Sequence, residues 1–227
     1  MTTTPVTDAR PSLPDLLAAC VEAIAAGDLR AARELADRAL TGAVSAGPVA
    51  FAGAVLVSGT VHRTTGDLAS AQDAFAAAAT LASRHLSEPS GARVHACAHI
   101  ELAALHCAGG RYDEAAQVLR HALDATLACD AATAPEDLAL LHNELGIVAG
   151  FSGDFDRAVH HYQKALGLLA SVLPADHVDL ATLWRTIAGL AHARGDVLGN
   201  LAALTHRSGK HCTADLSALA GRTVPGF

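Results

Sequence analysis

The sequence predicts an all-α solenoid of about five helix pairs, and three observations predict it. Hydrophobic residues make up 51% of the 227 positions while aromatics make up only 4%. Alanine therefore supplies much of the apolar content, and alanine is the strongest helix former. A glycine-led turn recurs at Gly27-Asp28-Leu29, Gly66-Asp67-Leu68, Gly110-Arg111-Tyr112, Gly153-Asp154-Phe155 and Gly195-Asp196-Val197, with spacings of 39, 44, 43 and 42 by subtraction of the glycine positions. Small and apolar residues hold fixed offsets from each glycine, and self-similarity at such a period marks stacked supersecondary units.

Residues 1–12 carry Thr and Pro without the basic-then-apolar order of a signal peptide, and are expected to form a disordered leader. The solenoid is expected over residues 13–207. In each unit the glycine stops a first helix, because it enters left-handed backbone without a Cβ clash. Asp28, Asp67, Asp154 and Asp196 then cap or charge-match the second helix. Ala32, Ala71, Ala115 and Ala158 follow the glycines by five residues, and Ala39, Ala78, Ala122 and Ala165 by twelve. Two helices approach closely only where such side chains are small. Ala36, Phe75, Leu119 and Tyr162, nine residues after each glycine, share that helical face.

The first helices repeat as well. Leu102-Ala103, Leu145-Gly146 and Ile187-Ala188 set an apolar and then a small residue eight and seven positions before the glycine, and Ser58-Gly59 keeps the small half. Trp184, the single Trp, stands eleven before the last glycine. In the final unit Asn200 and Arg207 replace the two alanines, so the chain from Gly195 is expected to be a degenerate closing helix. Residues 208–227 are expected to form a C-terminal cap, with Leu216, Leu219 and Ala220 as its apolar closure, and a flexible tail.

Between Arg38 and His62 no charged residue occurs, a run long enough to cross a bilayer. Gly42, Gly47, Pro48, Gly53 and Gly59 interrupt it, and Gly47-Pro48 has the chemistry of a turn between two helices. A buried solenoid helix is therefore expected there, and no membrane partner.

The unit Leu145-Gly146, Gly153-Asp154-Phe155, Ala158, Tyr162, Ala165 resembles the tetratricopeptide repeat (TPR) family, whose helix pair is patterned Trp, Leu-Gly, Tyr, then Gly, Ala, Phe, Ala. The resemblance extends over residues 13–207, in four patterned units and one decayed one. These units exceed the usual length of about 34 residues, and in this they resemble the extended repeats of kinesin light chains and of bacterial regulators. The resemblance implies a right-handed α-α superhelix whose first helices line a concave groove. It also implies a protein-protein interaction scaffold or regulatory adaptor that binds a protein or peptide segment there.

In the family's register the groove face collects Arg63, Cys97, Ile100, Ala104, Cys107, Asn143, Ile147, Phe151, Arg185 and His192. Two Arg, one Asn and one His in a partly apolar trough offer donors to a carboxylate or a peptide backbone. Histidine is abundant, at thirteen residues, and His95, His99 and His106 fall on one helical face. By register His62 and His106 take the family's Tyr position, and His99 and His142 its Trp position. One reading makes these imidazoles medium-sized polar fillers between helices. The other makes His62, His95, His99, His106 and His142 candidate metal ligands, since imidazole is the commonest metal ligand and His95 and His99 stand at i, i+4. No HExxH supports the metal, and Glu101 points away from the stripe. His160, His161 and Lys164 are expected on the outward face of a second helix.

Composition narrows the function further. A formal charge of −7 and a pI near 6.0 oppose the basic footprint that a nucleic-acid backbone requires. Five cysteines without a CxxC motif suit free thiols in a reducing cytoplasm. No nucleophile elbow, phosphate loop or dinucleotide fingerprint occurs, so neither an enzyme nor a cofactor is expected. The alternative is a small-ligand or metal-binding protein, or an atypical enzyme, built on groove or inter-helix His and Cys. Self-association into a homodimer through Leu17, Val21 and Ile24 is a third reading.

Overall fold

The computed structural model describes residues 11–129 and 134–193, with side chains through residue 190. Among the described residues the helices run α1 Leu13–Ala25, α2 Leu29–Ala43, α3 Pro48–Thr64, α4 Leu68–Ala82, α5 Pro89–Ala108, α6 Tyr112–Leu127, α7 Pro135–Phe151, α8 Phe155–Ala170 and α9 Val178–Ala193. A short 3₁₀ turn, Ser83–His85, follows α4. Each helix packs on the next, and the first helices α1, α3, α5 and α7 also pack on their counterparts in the adjoining pair. The array is all-α, built from sequential helix pairs. The expected degenerate helix from Gly195, the cap and tail over 208–227, and positions 1–10 lie outside the described residues.

The turns follow from glycine chemistry. Gly27, Gly66, Gly110 and Gly153 have φ of 75, 84, 69 and 82°, the left-handed region. The amide that follows each one donates back across the helix end, from Asp28 to Ala23, Asp67 to His62, Arg111 to His106 and Asp154 to Ala149, all at 2.9 Å. This is the Schellman closure of a helix C-terminus. The next helix is then capped from its N-cap side chain: Asp28 accepts from Ala31 N at 3.0 Å, Asp67 from Ser70 N at 3.1 Å and Asp154 from Arg157 N at 3.1 Å. Arg111 occupies that position before α6 and makes no side-chain cap, although Asp113 and Glu114 place negative charge in the first turn. Asp28→Ala is expected to lower stability by about 1 kcal/mol. An unchanged denaturant midpoint would show that this cap contributes nothing.

All eight alanines at the five- and twelve-residue offsets have 0% exposure. The nine-residue offset is buried too, and its occupant is matched in size to the residue seven before the glycine. Gly59 faces Phe75 and Gly146 faces Tyr162, Ala103 shares a core cluster with Leu119, and Cys20 shares one with Ala36. A Cβ at Gly59 would lie 2.6 Å from the Phe75 ring, and one at Gly146 would lie 2.7 Å from the Tyr162 ring.

Two further expectations meet the structure in this region. Gly47 has φ of 108° and Pro48 opens α3, so the charge-free stretch is divided between helices. No described helix is long and apolar enough to cross a membrane. At the first unit Leu17 and Ile24 pack partly buried against core clusters, which leaves Val21, 55% exposed, as the exposed member of the proposed dimer face.

Candidate functional site

The first helices bring together polar side chains that lie far apart in sequence. Arg63, in the last turn of α3, sets its Nε 3.0 Å from Oε2 of Glu101 on α5. Arg93, near the start of α5, pairs through Nε with Oδ1 of Asp137 on α7. Both ion pairs tie one first helix to the next. Asp137 is only 2% exposed, and burial raises its pKa even though Arg93 opposes the shift. Glu101 and Glu144 occupy equivalent positions, nine residues before Gly110 and Gly153. Glu144 accepts from Asn143 Nδ2 at 3.1 Å, and burial, with a smaller push from Glu101, raises its carboxyl above the ordinary range.

Beside this row lies a shallow depression of about 440 Å³, lined by Arg93, Leu140 and Asn143 together with Leu169 of α8 and Leu183 and Thr186 of α9. It is an open trough with polar and apolar walls.

The expected groove residues divide between these surroundings. Asn143 lines the depression, and Ile147 packs partly buried against the α7–α8–α9 core. Cys107 packs against the α5–α6–α7 core, where burial raises its thiol pKa. Phe151 is 61% exposed and stacks on Tyr112 of α6, with ring centroids 6.1 Å apart and planes 12° from parallel. Arg185 is exposed and donates to Thr182 Oγ1 at 3.3 Å. The side chain of His192 lies outside the described residues. Arg63 and Arg185 are separated by two helix pairs and do not form one cluster, and Arg63 already has Glu101 as its partner. Arg93 and Asp137 were not evident in sequence, because an ion pair between units leaves no motif within either one.

The histidines separate into local pairs. His95 is 1% exposed and its ring lies 4.3 Å from that of His99, whose Nδ1 contacts the His95 carbonyl oxygen at 2.9 Å. His121 of α6 stands 5.9 Å from His99, ring to ring. Burial, then the neighbouring imidazoles, pushes the His95 pKa down to about 4. His106, expected on the same stripe, instead accepts from Arg111 Nε at 3.1 Å, and His62 lies 3.5 Å from Asp67. His142 sets its Nδ1 3.1 Å from Nδ1 of His161 on α8. His161 therefore departs from the outward position expected of it. An imidazole at the Trp position is smaller than indole, and His161 fills the adjoining space. Among the described residues no group of three or more His, Cys, Asp or Glu is placed to hold a metal ion.

No protein-family model and no curated protein matches the chain. Solved structures do match it in fold. BtubC (BKLC) from P. vanneervenii is similar with a TM-score of 0.67 at 17% identity, over 95% of this chain and 83% of that one. A structure from Podosopora anserina, described as kinesin light chain nearly identical TPR-like repeats, gives 0.62 at 15% identity over 93% and 97% of the two chains. A thermophilic TPR protein of Thermus thermophilus gives 0.53 at 21% identity over 92% and 96%. At these identities the likeness defines the fold class, a TPR-like repeat array.

Proposed function

We propose that this chain is a protein-interaction scaffold that takes an extended segment of a partner protein along the first-helix layer at α5, α7 and α9. The observation that carries the proposal is the open depression where Asn143 and Thr186 stand between charged side chains such as Arg93 and Glu136 and the apolar Leu140, Leu169 and Leu183. Such a surface recognises backbone through the polar groups and alternate side chains through the apolar ones. Glu144, half-buried, has capacity for a further donor from a bound segment. The TPR-like fold, typical of protein-binding scaffolds, supports the same reading. A binding role fits the thiols better than a catalytic one does, since burial raises the Cys97 and Cys107 pKa values and so disfavours the nucleophilic thiolate.

The test is to select peptides from a displayed library on the full chain and measure them on Asn143→Ala/Thr186→Ala. Affinity is expected to fall at least about tenfold, the equivalent of one or two lost hydrogen bonds. Gln72→Ala, at an exposed position on α4, is expected to change nothing. Selected peptides that bind the double variant as tightly as the parent would refute the proposed groove.

A further inference from the structure

The net charge of −7 conceals a basic surface on the second-helix side. On α8, Arg157, His160, His161 and Lys164 follow at i, i+3, i+4 and i+7, and so share one helical face. Arg157, His160 and Lys164 are exposed, while His161 is half-buried against His142 of α7. The rings of His160 and His161 lie 5.7 Å apart. Arg120, exposed on α6, completes the surface from a third helix, because its charge and that of Arg157 act on His161 while Lys164 acts on His142.

Other charged groups stand on the same helices. Asp154 lies 3.4 Å from Arg157, with both side chains well exposed. Asp156 on α8, and His121 and Asp124 on α6, stand along the same helices. Glu144 of α7 acts instead on Cys107 and Tyr162.

At 3.1 Å the two Nδ1 atoms of His142 and His161 share one proton, one ring donating and the other accepting. Surrounding cations oppose a second proton. A dianion placed here pairs with the fixed charges of Arg120, Arg157 and Lys164, and the exposed His160 ring offers a further N–H donor.

We propose that the face shared by α6, α7 and α8 docks a phosphorylated side chain of a partner protein. A phosphoryl group brings close to two negative charges and three acceptor oxygens, which match Arg120, Arg157 and Lys164 together with imidazole N–H donors. A single carboxylate supplies one charge and two oxygens. A nucleic acid would lay many phosphates against a chain that is acidic elsewhere, whereas one phosphoryl group on a short segment meets only this face. The surface is separate from the first-helix trough, and its test stands apart from that of the trough.

Two immobilised peptide libraries of degenerate sequence, one centred on phosphoserine and the other on serine, test the proposal with the full chain. Retention is expected on phosphoserine alone. Arg120→Gln/Lys164→Gln, two exposed changes verified by an unaltered helical spectrum, is expected to weaken it at least about tenfold. Equal retention on both libraries overturns the proposal. So does phosphoserine binding that survives the double variant. Displacement by inorganic phosphate, a DNA oligonucleotide or anionic vesicles at concentrations equal to the peptide overturns it as well, because the site then belongs to that other source.

Discussion

Gly146→Ala is expected to destabilise the protein by about 1–2 kcal/mol, although the same change in an open helix would stabilise it. Replacing a mid-helix glycine with alanine ordinarily contributes about 0.5–1 kcal/mol. Here the new Cβ would lie 2.7 Å from the ring of Tyr162, which is 3% exposed and held between helices. Overpacking of this kind costs about 1–3 kcal/mol, more than the propensity gain. The chain itself suggests the compensating change, since its third unit solves the same contact with Ala103 and Leu119. Tyr162→Leu alone leaves a cavity, but in the Gly146→Ala background it recreates the third unit's pairing. The two substitutions should therefore couple favourably by about 1–2 kcal/mol in a double-mutant cycle. Additive losses would mean that the size match between these offsets does not hold the units together.

A second large effect is loss of stability in mild acid. Unfolded histidine takes a proton near pH 6.5, whereas His95 in the folded chain does so only at about 4. Below pH 6.5 the unfolded state therefore binds more protons, so the contribution of neutral His95 is complete above that pH and falls as pH drops toward 4. The loss from this residue amounts to roughly 3 kcal/mol across that window. His161, also pushed down to about 4 by burial and surrounding cations, acts in the same direction. The repeat again supplies a control, because the position fifteen before the glycine holds Phe51, Leu138 and Leu180 in other units. His95→Leu should make denaturant midpoints at pH 5 higher than the parent's, with a shallower fall between pH 6.5 and 4. If parent and variant fall in parallel, His95 is not the residue that the acid reaches.

The fold was legible because its determinants are local and leave few residue types to choose from. A left-handed turn selects glycine and a close helix crossing selects alanine, choices that four units repeat visibly, and three of those four also open the second helix with Asp. The trough was legible only in part. Register placed Asn143 on the face that carries the depression, but it also offered Arg63 as a donor in the same groove, whereas Arg63 is held by Glu101 on the neighbouring first helix. Such partners depend on how one unit sits against the next, and spacing within a unit carries no record of that. The histidine stripe failed for a related reason. His95 and His99 do meet, but His106 turns to Arg111 at the helix end and the remaining imidazole contacts come from second helices, at His121 and His161. His161 was expected outward, although it stands three residues after the buried Ala158 and four before the buried Ala165, at the edge of the packed face.

The claim that the first-helix layer is the binding surface is tested most directly by where a partner segment crosslinks. A photoreactive phenylalanine analogue at position 182, exposed on α9 at the edge of the depression, is compared with one at position 72, exposed on α4. With peptides selected on the parent chain, the account predicts a saturable adduct at position 182 and none at position 72. Crosslinking at position 72 without position 182 would contradict it.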